Sequence, residues 1–287
     1  MDALTILPFV LLLAAVLGLW MHRSVWITAL AAAIVAGYCT GALRGLAALW
    51  VVIAAGLAWF YAWTRARPRT AGNRALQVAA GVVFALYALA MALPLLPGFV
   101  RVELVAPQAL SAGAEPYGIS VGFPKVAAGI LILGLINPVL SRAGLGGALA
   151  KALPIWLFTT VLVSIFALAM GYTAFAPKWT SLFLLWAPIN LMFTCLAEEA
   201  FFRGYLQHEL ASSSRAPFMP MLALVIAAVL FGLLHYRGGA TYVVAGVIAG
   251  LGYGWAFLRT QRIEAAMAVH FGVNATHFLL FVYPRLA

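Results

Sequence analysis

Read for hydrophobicity, the chain is a succession of apolar runs about twenty residues long, broken by single charges and by glycine or proline. The hydrocarbon core of a bilayer, about 30 Å thick, takes about 20 apolar residues in a helix. Each run therefore predicts a membrane-spanning helix. Ten spans are predicted, near 3–21, 25–43, 45–63, 76–98, 126–144, 153–172, 179–206, 218–236, 240–258 and 263–283. Only Arg44 divides the second from the third, so the pattern predicts about 8–10 spans. Residues 101–124 make the one long polar-leaning connection. The fold class expected is all-α, a polytopic transmembrane helix bundle. By content the chain divides into 1–175, N-terminal transmembrane helices with no recognisable motif, and 176–287, the motif-bearing core helices.

Composition narrows the solvent. Hydrophobic residues make up 66% of the chain and charged ones 8%, where a soluble domain has about 25% charged. A water-soluble globule could not cover that much apolar surface. The net charge of +10 does not imply a nucleic-acid partner. The basic residues are scattered singly, with one cluster at Arg65, Arg67, Arg69 and Arg74. That distribution suits topology signals and lacks the basic stripe of a nucleic-acid surface. Connections after odd-numbered spans hold Arg23, that cluster, Arg142, Lys151, Arg215, Arg259 and Arg262. The opposite side holds Arg44, Arg101, Lys125, Lys178, Arg237 and Arg285, the poorer set. The positive-inside rule then places both termini outside the cytoplasm. The expected location is a bacterial inner membrane, with the lipid bilayer as a partner. The opening MDALTILPFVLLL has no basic n-region and reads as a retained helix. Cys39 and Cys195 lie within apolar runs and read as small hydrophobes.

Chemistry is confined to the last third. The seventh span contains the adjacent carboxylates Glu198 and Glu199, followed by Arg203. An ionisable group inside a membrane helix is a functional hypothesis by default. Glu199 and Arg203 are four apart and can pair on one face. Glu198 points about 100° away, so it is expected to be unpaired and available as a general base. The bland alternative is a structural ion-pair knot. The eighth span ends with Phe231 and His235 four apart, and the tenth places His270 and Asn274 four apart. Polar groups on neighbouring helices of one bundle satisfy each other only by converging. A carboxylate, two imidazoles and an amide describe a hydrolytic site, where Glu activates water and the others steady it or an oxyanion. His235 fits worst: at ~1.5 Å per residue it lies about 27 Å beyond Pro217, deeper than Glu198 or His270. His277 reads as a helix-end bystander, His208 and Glu209 as an interfacial, solvated end past the seventh span, and Gly246, Gly250, Gly252 and Gly254 as close helix packing.

The motifs Glu198-Glu199-x-x-x-Arg203, Phe231-x-x-x-His235 and His270-x-x-x-Asn274 resemble, in order and placement, those of the CPBP family. This family contains the type II CAAX prenyl endopeptidases and bacteriocin-processing or immunity-type membrane proteins. The resemblance covers about residues 180–280. It implies a glutamate-dependent intramembrane endopeptidase with no cofactor and no metal. Carried over by position, Glu198 is the base on water, His235 and His270 complete the site, and Asn274 helps hold the oxyanion. Glu199 and Arg203 brace the first motif. The substrate class implied is a membrane-anchored peptide or protein cleaved near its anchor. Two other readings stand beside it. One is a zinc hydrolase using Glu and two His as ligands, although no His-Glu-x-x-His helix is present. The other is a non-enzymatic immunity or scaffold protein. The oligomeric state is not readable from the sequence.

Overall fold

A computed structural model describes residues 3–68, 70–93, 95–137 and 143–287. Arg69 and Arg142, counted above among the topology-setting charges, lie outside the described residues. Among the described residues ten helices occupy the ten predicted places: α1 (Ala3–Gly18), α2 (Arg23–Cys39), α3 (Ala47–Arg65), α4 (Ala71–Ala92), α5 (Pro124–Ile136), α6 (Leu145–Ala169), α7 (Leu182–Ser212), α8 (Met219–Leu233), α9 (Gly239–Thr260) and α10 (Ile263–Leu280). The fold is an all-α polytopic bundle.

Among the described residues five helices, α3, α4, α6, α7 and the one ending at Thr260, are long and apolar enough to cross a bilayer. Four others are apolar but shorter. On α6 the row Leu153, Leu157, Val161 and Ile165 is exposed at helical spacing, joined by Phe158. Such a ridge is costly in water and costs nothing against acyl chains. The protein is an integral membrane protein.

Local signals start and stop the helices. Thr70 caps α4 by accepting from the Asn73 N–H at 3.2 Å. Arg65 donates to Ile136 O at 2.9 Å, satisfying a carbonyl at the C-terminal end of α5. Gln261 takes the left-handed conformation, φ 54°, where α9 ends.

Two compact units divide the chain. The first comprises Met1–Val102, Ser120–Leu140 and Met192–Phe201, and the second Glu103–Ile119, Ser141–Leu191 and Phe202–Ala287. In the first, α1 packs on α2 and α3 on α4, with α5 against α1, α3, α4 and the middle of α7. In the second, α8 packs on α9, and α6 on α9 and α10.

The polar connection at 101–124 is not all loop. It contains a two-stranded sheet, β1 (Val102–Gln108) with β2 (Tyr117–Val121). Ile119 buries with Trp186 and Phe278 in the second unit. The C-terminal segment is tied to the connection between these strands. Ala114 bridges Leu286, Ala287 N–H donates to Gly113 O at 2.9 Å, and Arg285 Nη2 donates to Glu115 Oε1 at 2.8 Å.

Candidate functional site

Helix α7 carries the first motif, and its backbone is irregular there. It is π-helical over Asn190–Cys195 and again over Ala200–Gln207, flanking a short α-helical stretch, Leu196–Glu199, that holds both glutamates. π segments inside α-helices are frequent at functional sites. The helix also runs beyond its predicted end, so His208 and Glu209 lie within its last turns rather than past them.

Glu198, with 15% of its side chain exposed, accepts from Lys125 Nζ in the first turn of α5. The expectation that Glu198 is unpaired is therefore corrected. Its partner comes from a helix 73 residues earlier, a distance at which spacing on one helix says nothing. The approach depends on Gly129, one turn after Lys125. A Cβ there would stand 2.9 Å from Ala197 Cα, the residue before Glu198. Glu199 is fully buried.

In the second unit Arg203 is fully buried as well. Its Nη2 donates to Gly250 O at 2.8 Å, and four residues on in both helices Gln207 Nε2 donates to Gly254 O at 3.0 Å. These paired steps run in the same chain direction, so α7 and α9 are parallel here. Gly254 permits the approach: a Cβ on it would lie 2.8 Å from Gln207 Oε1. The guanidinium also stands over aromatic faces, 5.0 Å from the centre of Phe231, 5.2 Å from Tyr253 and 5.7 Å from Phe202. Carbonyl and π-faces are what a guanidinium buried away from water requires.

Phe231 is the hub of this cage. Its ring centroid lies 4.8 Å from His235, 5.7 Å from His270 and 5.7 Å from Tyr253. Tyr253 stacks on His270 at 4.3 Å with planes 12° apart. The second unit thus gathers Arg203, His235 and His270 around two aromatic rings. His235 joins the cluster beside the Phe231 ring. The residue follows the end of α8, and its ring folds back so that Nδ1 lies 2.8 Å from Phe231 O. A carbonyl can only accept, so Nδ1 carries the proton and Nε2 is the nitrogen left for chemistry.

Asn274 Nδ2 donates to Asn190 Oδ1 at 3.2 Å. This amide partner was missed from sequence. A polar residue inside the apolar run WAPINLMF was the available signal. Tyr253 was missed too, because one aromatic among many carries no pattern. His277 sits against Tyr283 and Phe281, ring centroids 5.1 and 6.4 Å away.

A chain of polar and aromatic contacts links His235 to the C-terminal segment. Tyr242 packs edge-on to His235 at 5.1 Å and stacks on Tyr172 at 5.6 Å. Arg285, which grips Glu115, lies over Tyr172 and donates to Gly238 O at 3.3 Å, in the turn following His235. The Arg285 guanidinium holds the Glu115 carboxyl below its usual range, and the Glu115 carboxylate raises Arg285 in return.

Among the described residues no three His, Cys, Asp or Glu side chains are grouped as ion ligands. No curated protein and no solved structure matches the chain. The resemblance read from the three motifs is borne out: residues 179–276, about a third of the chain and including every motif residue, match the family model described as type II CAAX prenyl endopeptidase Rce1-like, and over this stretch the protein is similar to that family.

Proposed function

We infer that the protein is an intramembrane endopeptidase that uses a glutamate as base and cleaves membrane-anchored peptides or proteins near their anchor. One observation carries this reading. The stretch matching an endopeptidase family is the stretch in which ionisable side chains are buried within apolar helices. Burial of Glu199, Arg203 and His270 at a few per cent exposure or less is expensive in an apolar bundle and calls for a compensating role.

In the proposed reaction Glu198 takes a proton from water as the water oxygen attacks the scissile carbonyl. The proton passes to the leaving amine as the tetrahedral intermediate collapses, so the carboxylate is regenerated. His235, presenting Nε2, and His270, fixed by its stack on Tyr253, orient water and intermediate. Asn274 donates toward the developing oxyanion, a type of contact worth about 2.7–4 kcal/mol in other hydrolases. Glu199 and Arg203 brace α7. The substrate would be presented from the lipid by its own hydrophobic anchor, as a lipidated terminus, a sorting signal or a peptide precursor.

The test compares membrane proteomes of strains carrying the wild-type gene, a deletion and Glu198→Ala. Proteins that keep their terminal tails in both the deletion and the Glu198→Ala strain are expected substrates. Full processing in a Glu198→Gln strain would falsify the general-base role.

A further inference from the structure

A general base in a membrane helix faces two opposed demands. It must be an anion to accept a proton, yet an apolar environment disfavours the anion so strongly that a buried carboxyl ordinarily takes up a proton instead. Glu198 is in this position: it lies in an apolar helix with only 15% of its side chain exposed. Lys125 Nζ donates to its Oε1. Lys125 has 36% of its side chain exposed, so it is the less buried member of the pair.

We propose that Lys125 is a positioning residue of the catalytic apparatus, holding Glu198 as an oriented carboxylate ready to receive the proton of water. The assignment rests on the glutamate-base reading above and adds a residue that lies outside the family match, which begins at residue 179. The chemistry of lysine suits the role. An ammonium is a compact point charge and engages one oxygen of the pair, where a guanidinium tends to clamp both. The backbone suits it too. Pro124 opens α5 at a position that needs no N–H. Gly129 then lets α5 approach Ala197 closely, which brings Lys125 to Glu198. Glu199 is next in the chain, and Cys195 lies within electrostatic reach of both glutamates and Lys125.

Dicyclohexylcarbodiimide tests the ionisation of Glu198 without any substrate. The reagent is apolar, reacts only with protonated carboxyls, and leaves an N-acylurea that peptide mass spectrometry assigns to one residue. Purified full-length protein in detergent micelles is labelled at pH 7. Glu198 should label slowly in the wild type and at least tenfold faster in Lys125→Met. Lys125→Arg, which restores the charge, should return the rate to near the wild-type value. Lys125→Met/Glu198→Gln should show no label at 198. An ion pair of purely structural value would give the same labelling pattern but leave tail processing in a folded Lys125→Met at the wild-type level, and that result also overturns the proposal.

Glu198 labelling in a folded Lys125→Met at the wild-type rate overturns the proposal. So does wild-type labelling that is as fast at pH 7 as at pH 5, a measurement that needs no variant to fold. The two readings fail separately. Tail processing that survives Glu198→Ala removes the glutamate base and leaves the labelling result standing. Unchanged labelling in Lys125→Met removes Lys125 and leaves the glutamate base standing.

Discussion

The cage around Phe231 depends on how closely α8 approaches α9, and Gly232 sets that approach. A methyl group placed on Gly232 would stand 2.4 Å from Val247 Cγ2, 2.6 Å from Val243 O and 2.8 Å from Val247 N. The first atom can swing aside, but the other two are backbone. Reaching a normal 3.4 Å contact from 2.6 Å requires the helices to part by about 0.8 Å. Overpacking of this kind costs roughly 1–3 kcal/mol. At ~2–4 °C per kcal/mol for a chain of this order, the unfolding midpoint of Gly232→Ala should fall by several degrees. The functional loss should be larger than that. Phe231 adjoins the site of substitution and His235 follows three residues on, and a misplacement of about 1 Å can cost about 10²-fold in rate. The control is Gly56→Ala on α3, where an added Cβ meets nothing within 4 Å. Heating the detergent-purified variants while following tryptophan fluorescence gives the midpoint, and quantifying unprocessed membrane-protein tails in cells gives the function. If Gly232→Ala matches Gly56→Ala in both measurements, the close contact of α8 with α9 is not what holds the cage.

Two further outcomes follow from individual contacts. Asn190→Ala removes the acceptor of the Asn274 amide and should cost about 1–3 kcal/mol in stability, with processing reduced as in Asn274→Ala. The double variant should be little worse than either single one, so fully additive losses would show that the two amides act apart. Arg285 depresses the Glu115 carboxyl below its ordinary 4.5. A depressed carboxylate contributes stability above its unfolded value that is lost as pH falls through its folded one. The clasp on the C-terminal segment should therefore hold at neutral pH and loosen only below about 4.5. Hydrogen exchange of residues 281–287, corrected for intrinsic rates, measures this. Glu115→Gln should exchange fast at every pH, and wild-type protection that persists undiminished at pH 3 would contradict the assignment.

Much of the architecture was legible in the sequence because lipid leaves the backbone few choices. An apolar run without water must satisfy its own N–H and C=O groups, and the helix does this within one segment. All ten helices consequently appear where the runs are. The three motifs were legible for a related reason: charged and polar side chains are rare in such helices, so Glu198, Glu199, Arg203, His270 and Asn274 stood out against an apolar background. Their four-residue spacing assigned shared faces within each helix.

Partnership between helices was not legible, since it depends on packing distances that hydropathy does not encode. Lys125 read as a loop charge until Gly129 was seen to bring α5 against Ala197. Asn190 and Tyr253 acquired meaning only as the groups touching Asn274 and His270. The π segments of α7 come from a shift in hydrogen-bond register that leaves the apolar pattern almost unchanged. The β1–β2 sheet was hidden because its short strands alternate weakly and bury against distant aromatics. The sequence alone determined the solvent, the helices and the scarce ionisable residues, because each follows from local chemistry. Only the tertiary structure decided which helix supplies the cation to Glu198 and which rings enclose the histidines, because those choices rest on backbone approaches of a few ångströms between segments far apart in the chain.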